Sequence, residues 1–357
     1  MERSGFPVAL APRALWRAEL VLLGITIIWG TTFTAVKIGL QHASPFPFLL
    51  ARFGLALGVL SLWVRPWQMG LDLSAWRAGM WLGLWLGLGF VLQTAGLIWT
   101  TASMSAFITG ASAAFTPLLE RLLGRGRPPG SAFVGLYLVL MGLYGLSLPR
   151  LHVGLQAAMG LSLLALGLLG IARSGGRPIA GALLLGFGLW LVLRAEMVRF
   201  GIGEWLTLIS ALVWAVYIVE MDRLSGRAPA GALAWMQLAM VGLLALFLLP
   251  WFPVRFSPEP ELLMGLVYLA LVATVLTTWL QTRFQRQTTP TRAALIFAAE
   301  PLVAALVAAL WLGEQMGLHG WISGALIVWG MLIAMRSGPQ NHSALPDVKG
   351  TKCEQIR

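Results

Sequence analysis

The chain has 357 residues, of which 58% are hydrophobic and only 11% charged, with a formal net charge of +11. A soluble globule devotes roughly 25% of its residues to charge, so a soluble enzyme or binding domain is excluded and most of the exterior must lie in lipid. The cations are scattered between apolar runs and form no basic stripe, which argues against a nucleic-acid partner and makes them markers of membrane topology.

A helix needs about 20 apolar residues to cross a ~30 Å hydrocarbon core. Residues 1–17 are expected to form a cytoplasmic N-terminal segment. Arg3, Arg13 and Arg17 there precede an apolar run too long for a signal sequence and without a small-residue cleavage site, so the first span is expected to be retained. Spans are then predicted at 18–39, 46–65, 76–98, 102–122 and 131–148. Two further apolar stretches, 153–172 and 178–193, read either as extra spans or as a hairpin lying on the membrane surface. Five more spans are predicted at 203–221, 230–251, 261–281, 290–312 and 317–336, followed by a polar, proline-bearing cytoplasmic tail at 337–357 that is expected to be disordered. With twelve spans and a cytoplasmic N-terminus, most Lys and Arg fall inside; Lys37, Arg150, Arg194, Arg199 and Arg255 fall outside. That asymmetry puts both termini in the cytoplasm.

Two stretches repeat one plan. "ELVLLGITIIWGTTF" opens the first span and "EWLTLISALVWAVYI" the eighth, so that Glu19 matches Glu204 and Trp29 matches Trp214 at an offset of 185. "LQTAGLIWTTASMSAF" is echoed by "LQTRFQRQTTPTRAAL", where Gln93 matches Gln281, Thr94 matches Thr282 and Thr100 matches Thr288 at an offset of 188. The expected organisation is a first five-helix repeat at 18–148, an inserted hydrophobic hairpin at 149–202, and a second five-helix repeat at 203–336. An odd number of spans per repeat with an even insertion inverts the second copy, as in secondary transporters whose substrate site lies near the midplane. The expected fold class is an all-α membrane bundle of ten core spans, about twelve in all.

The motifs "WGTTFTAVKIGL", "LLARFGLAL" and "TTASMSAFITG" in the first repeat, with "TTPTRAALIFAAEPLVAALVAALWLGE" in the second, resemble those of EamA-type proteins of the drug/metabolite transporter superfamily. The resemblance covers roughly 18–148 and 203–336 and implies ten helices in two inverted repeats. It also implies an inner-membrane carrier that exports small metabolites. The insertion departs from that pattern, since such proteins join their repeats by a short loop. Cargo does not transfer with the resemblance, because the family handles amino acids, drugs and nucleotide-like compounds.

Glu300 is the residue most open to a chemical role. Thr289 can cap the ninth predicted helix and Pro290 suits its first position. Ten residues further on, about 15 Å deep, stands Glu300. Pro301 then lacks the N–H that would bond the Phe297 carbonyl. A midplane carboxylate beside a helix break can hold a substrate ammonium or exchange a proton; the plain alternative is a kinked helix whose glutamate is neutral or paired with a buried arginine. Arg52, inside the second span, can hold a carboxylate or phosphate, and Lys37 either shares an outward vestibule with it or anchors the first span. Gln237 matches Arg52 at offset 185. Gln93 and Gln281 either line the path or join helices, and Trp29 and Trp214 either wall a pocket or pack. Glu19 and Glu204 read as helix-start carboxylates.

No GK[ST] phosphate loop, HExxH, CxxC or nucleophile motif is present, and Cys353 is the only cysteine. His42, His152, His319 and His342 are dispersed over expected loops and the tail. No enzymatic activity, metal or cofactor is therefore expected. Gly83 with Gly87 and Gly320 with Gly324 are spaced to pack helices, within the chain or at a subunit interface, which leaves a homo-oligomer open. The expected partners are a small-molecule substrate, membrane lipid and a coupling proton or exchanged solute. A lipid or glycolipid flippase on the same fold is the competing reading.

Overall fold

The computed structural model describes residues 12–123, 201–314 and 317–335, with a few isolated positions between 131 and 167. The spans expected at 131–148, 153–172 and 178–193 and the tail fall essentially outside the described residues. Within them the chain is helical, and the β pairing is an isolated antiparallel bridge between Ala43 and Phe256.

The helices run in chain order as α1 (Pro12–His42), α2 (Pro45–Ser61), α3 (Leu73–Gly96), α4 (Ala102–Thr109) and α5 (Ser112–Leu122). After the undescribed stretch come α6 (Ile202–Leu224), α7 (Ala230–Leu248), α8 (Pro260–Ala270), α9 (Thr277–Phe284), α10 (Pro290–Phe297), α11 (Glu300–Leu312) and α12 (Leu318–Met335). Among the described residues, eight helical stretches are long and apolar enough to cross a membrane, while α12 carries a shorter apolar segment. Large apolar side chains face outward where a water-soluble protein would hide them, Trp63 at 71% and Met264 at 74% exposure among them. The molecule is a multi-pass membrane protein.

Local chemistry sets the helix starts. Pro45, Pro260 and Pro290 occupy first-turn positions, where no N–H is needed. Asp72 caps α3 by accepting from the Ala75 N–H at 2.9 Å. That N–H first, and the Ser74 hydroxyl second, hold the Asp72 carboxyl below its ordinary range. The cap is fully present above the ordinary carboxylate pKa and is lost as pH falls through the lowered one. α11 ends on left-handed Gly313, at φ +68°.

Two expected spans are each broken in the middle. The 290–312 stretch divides at Ala298–Ala299, beside Pro301, as the missing N–H requires. The 102–122 stretch divides at Gly110–Ala111, although no proline stands at the matching position, Ala113. The bonding around the breaks is the same at offset 188. Gly110 N–H reaches Ala106 O and Ala111 N–H reaches Ile108 O, both at 3.0 Å; Ala298 N–H reaches Ala294 O at 3.0 Å and Ala299 N–H reaches Ile296 O at 3.1 Å. Their caps match too: Thr101 accepts from the Met104 N–H and Thr289 from the Arg292 N–H. Between α8 and α9 the helix widens into a π segment, Leu271–Leu276.

Some expectations are corrected. Glu19 lies seven residues inside α1 rather than at its start, and it forms an ion pair with Arg292 at 2.7 Å. His42 closes α1 and His319 lies in α12, not in loops. Gly83 and Gly87 pack within the chain. A Cβ on Gly83 would sit 2.6 Å from Met240 Cβ and 2.9 Å from Gln237 Cα, while one on Gly87 would meet Leu244 Cδ1 at 2.5 Å. Gly324 likewise faces Leu302. The α3–α7 seam is therefore an intramolecular close approach, and at Gly83 it has the least room to give, because the backbone of Gln237 faces the added Cβ there. Gly83→Val is expected to cost about 1–3 kcal/mol by overpacking. Thermal unfolding of the detergent-solubilised protein should show a lowered midpoint; an unchanged midpoint would refute the close approach.

Candidate functional site

A cavity of about 630 Å³, part of it open space at its mouth, lies at the level of both helix breaks. It collects polar side chains from both halves of the chain. Arg52 enters from α2, Gln93 from α3, Thr109 and Ser112 from the two sides of the first break, Gln281 from α9, and Glu300 from the second break. Aromatic rings wall it, including Trp29, Phe90, Trp214 and Phe297.

Glu300 is the first residue of α11 and is half-buried. The helix N-terminus favours a carboxylate there. Among the described residues it has neither a cationic partner nor a hydrogen bond, so of the two plain alternatives pairing with a buried arginine does not hold within them. α1 approaches this helix start because residue 30 is glycine: a Cβ there would lie 2.5 Å from Val303 Cβ and 3.0 Å from the Glu300 carbonyl oxygen. Trp29, next to that contact, is thereby brought over the break. Its Nε1–H donates to Thr277 Oγ1 at 3.1 Å, and its ring lies 5.2 Å from that of Phe297.

Arg52 is 1% exposed. Its Nε–H donates to Thr274 Oγ1 at 2.9 Å, and its guanidinium carbon lies 4.8 Å from the Phe90 ring centroid and 5.3 Å from that of Phe53. Thr274 belongs to the π segment and is the neighbour of Ala273, which lines the cavity. No carboxylate pairs with Arg52 among the described residues. A cation taken out of water without a counter-charge is costly, and cation–π contacts with two rings offset only part of that cost.

Six of the eight residues singled out from sequence thus meet at one cavity: Glu300, Arg52, Trp29, Trp214, Gln93 and Gln281. The other two do not. Gln237 is fully buried behind the wall, where its Oε1 accepts from Tyr217 Oη at 2.7 Å and its Nε2 donates to Thr282 Oγ1 at 3.4 Å. It supports Tyr217, which does line the cavity. Lys37 does not share a vestibule with Arg52. Its ammonium donates to the carbonyls of Leu97 at 2.6 Å and Thr100 at 2.8 Å, which terminate α3 and open the next turn. A cation at a helix C-terminus satisfies carbonyls that have no intrahelical partner.

Other residues of the site were not singled out beforehand. Thr274, Thr277 and Tyr217 hold Arg52, Trp29 and Gln237, and Gln93 Nε2 donates to Thr109 Oγ1 at 3.0 Å. Threonine is common in apolar helices, where its hydroxyl bonds the carbonyl four residues back, as Thr277 does to Ala273 O at 2.8 Å. Only the partner across the bundle distinguishes it. Ser112 had a signal, its match to Glu300 at offset 188. Among the described residues no group of His, Cys, Asp and Glu is arranged to hold a metal ion.

Comparison with known proteins points the same way as the cavity. The chain is 25% identical over 316 residues to an uncharacterized transporter of Archaeoglobus fulgidus, spanning 88% of this chain and 85% of that relative. A second uncharacterized transporter of the same organism is 24% identical over 335 residues, spanning 89% and 96%. A protein of known crystal structure shares the fold with a TM-score of 0.60 at 18% identity, over 90% of this chain and 97% of that one. The model of the EamA-like transporter family matches residues 16–148 and 201–336. These two stretches make up most of the chain, which therefore belongs to the EamA-like transporter family.

Proposed function

We propose that this membrane transporter is a secondary carrier for a zwitterionic, amino-acid-like small molecule, which it moves by alternating access and exports across the cell membrane. Arg52 takes the substrate carboxylate, Glu300 takes the ammonium or exchanges it for a proton, and the rings of Trp29, Trp214 and Phe90 hold the apolar body. One observation carries the reading: a cation and a carboxylate, one from each half of the chain, line one cavity without an ion-pair partner among the described residues. Ionisable side chains inside a membrane bundle mark substrate or proton sites.

Two inverted five-helix repeats, at 18–148 and 203–336 around the inserted 149–202 hairpin, are the architecture this reading needs. The matched breaks support it, as does reciprocal packing: α1 lies on α10 and α11, while α6 lies on α4 and α5. The distribution of Lys and Arg supports cytoplasmic termini. Proton coupling through Glu300 or solute exchange supplies the driving force.

Purified protein in proteoliposomes, offered radiolabelled amino acids, nucleotide sugars and lipid-linked sugars, tests the assignment. Counterflow of amino acids carrying apolar side chains is expected, without movement of the other two classes. Movement of the lipid-linked sugar alone would replace the carrier by a flippase.

A further inference from the structure

The two broken spans are tied to each other at both ends, by the same chemistry. At one end, the start of α4 is held by Glu314, two residues beyond α11. The N–H groups of Ala102 and Ser103 each donate to its carboxylate at 3.2 Å, and the Ser103 hydroxyl donates to it as well. At the other end, the start of α10 is held by Glu120, from the last turn of α5: the Thr291 hydroxyl donates to its carboxylate. Ser103 and Thr291 are matching residues at offset 188. Each broken span therefore offers its first-turn hydroxyl to a carboxylate at the far end of the other.

Cations and ion pairs stand beside each tie. Lys37, near the end of α1, sits on the Leu97 and Thr100 carbonyls just before the Ser103 tie. Arg292 pairs with Glu19, at the opposite part of α1, one residue after Thr291. α1 is thus fastened near both of its ends, next to the two ties.

We infer that the Glu314–Ser103 and Glu120–Thr291 ties are the two gates of the carrier, one at each mouth of the cavity, and that the transport cycle releases one while keeping the other. Three features distinguish them from static struts. They join the very spans whose breaks line the cavity, through Thr109 and Ser112 on one side and Phe297 and Glu300 on the other. Each break interrupts the span between two shorter helices, which gives α4 a hinge to α5 and α10 a hinge to α11. Finally, the tie partners are polar groups at helix ends, and water can replace them as hydrogen-bond partners when the mouth opens. An apolar strut would have no such replacement.

The inference rests on the carrier reading, but its test needs no knowledge of the cargo. In a Cys353→Ser background, a reporter cysteine at Thr32, on the cavity wall, is labelled in proteoliposomes by a membrane-impermeant maleimide applied from one side at a time. Glu314→Gln is expected to raise labelling severalfold from the side of the α4 start and to lower it from the other. Glu120→Gln is expected to do the reverse. A cysteine pair at Ser103 and Glu314, oxidised to a disulfide, should block labelling from the α4-start side and be restored by reductant. Equal changes from both sides, or none, would overturn the gate assignment, as would a disulfide-linked pair still labelled from that side. Loss of side-dependence leaves the cargo assays intact, and a failed cargo assay leaves the labelling intact, so the two readings fail separately.

Discussion

Glu300→Gln is expected to abolish accumulation against a gradient and to lower the transport rate by about 10–100-fold. The figure corresponds to losing one charged hydrogen bond to substrate, about 1.5–3 kcal/mol, at about 1.4 kcal/mol per factor of ten. Glutamine keeps the volume and the helix start, so the break at Ala298–Ala299 persists. Folding is not expected to suffer. A half-buried carboxylate without a partner is a net cost to the fold, and its neutral isostere removes that cost. The diagnostic result is therefore divergence: the thermal midpoint stays or rises while transport falls. A carboxylate serving only the fold would show the opposite pattern. Initial rates in proteoliposomes, paired with thermal unfolding of the same preparation, decide between them.

Arg52→Gln is expected to have the larger effect on substrate affinity. Truncating one member of a desolvated charge pair costs about 2–5 kcal/mol, which is about 30-fold to several thousand-fold in binding. Arg52→Lys retains the charge but loses the planar fork, the Nε–H bond to Thr274 and the stacking on Phe90. It is expected to recover only part of the affinity. Arg52→Gln should be at least as stable as the parent, for the same reason as Glu300→Gln, whereas Arg52→Lys, which keeps the buried charge and loses those contacts, should be less stable. Isothermal titration of the purified proteins measures the loss, and binding unchanged in Arg52→Gln would remove the guanidinium from the site.

Much of the helical frame is legible without coordinates because lipid imposes a simple rule: long apolar runs, punctuated by caps and prolines, become helices. Thr289, Pro290 and Pro301 are local signals, and the helix starts and breaks where they say. The break at Gly110–Ala111 has no proline. What could have revealed it is Gly110 together with the match to Ala298 at offset 188. The π segment left no trace either, since Leu271–Leu276 reads as ordinary apolar helix. Partners were harder still. Arg52 with Thr274, Trp29 with Thr277 and Ser103 with Glu314 are more than two hundred residues apart. Residue type can nominate a buried charge, but only packing says what faces it. Lys37 illustrates the difference. Its place at the same side of the membrane as Arg52 allows either a shared vestibule or a simple anchor, and the end of α3 supplies the carbonyls that hold it.

The central claim is that Arg52 and Glu300 read the two charges of one substrate. Binding of an amino acid that the carrier transports should be compared with binding of its carboxamide and its N-acetyl derivative, in the parent, in Arg52→Gln and in Glu300→Gln. The parent is expected to bind the zwitterion and to reject both derivatives. Arg52→Gln should cease to discriminate against the carboxamide while still rejecting the N-acetyl form. Glu300→Gln should cease to discriminate against the N-acetyl form while still rejecting the carboxamide. If the two variants lose affinity for all three ligands in equal proportion, neither residue reads a substrate charge and the assignment is wrong.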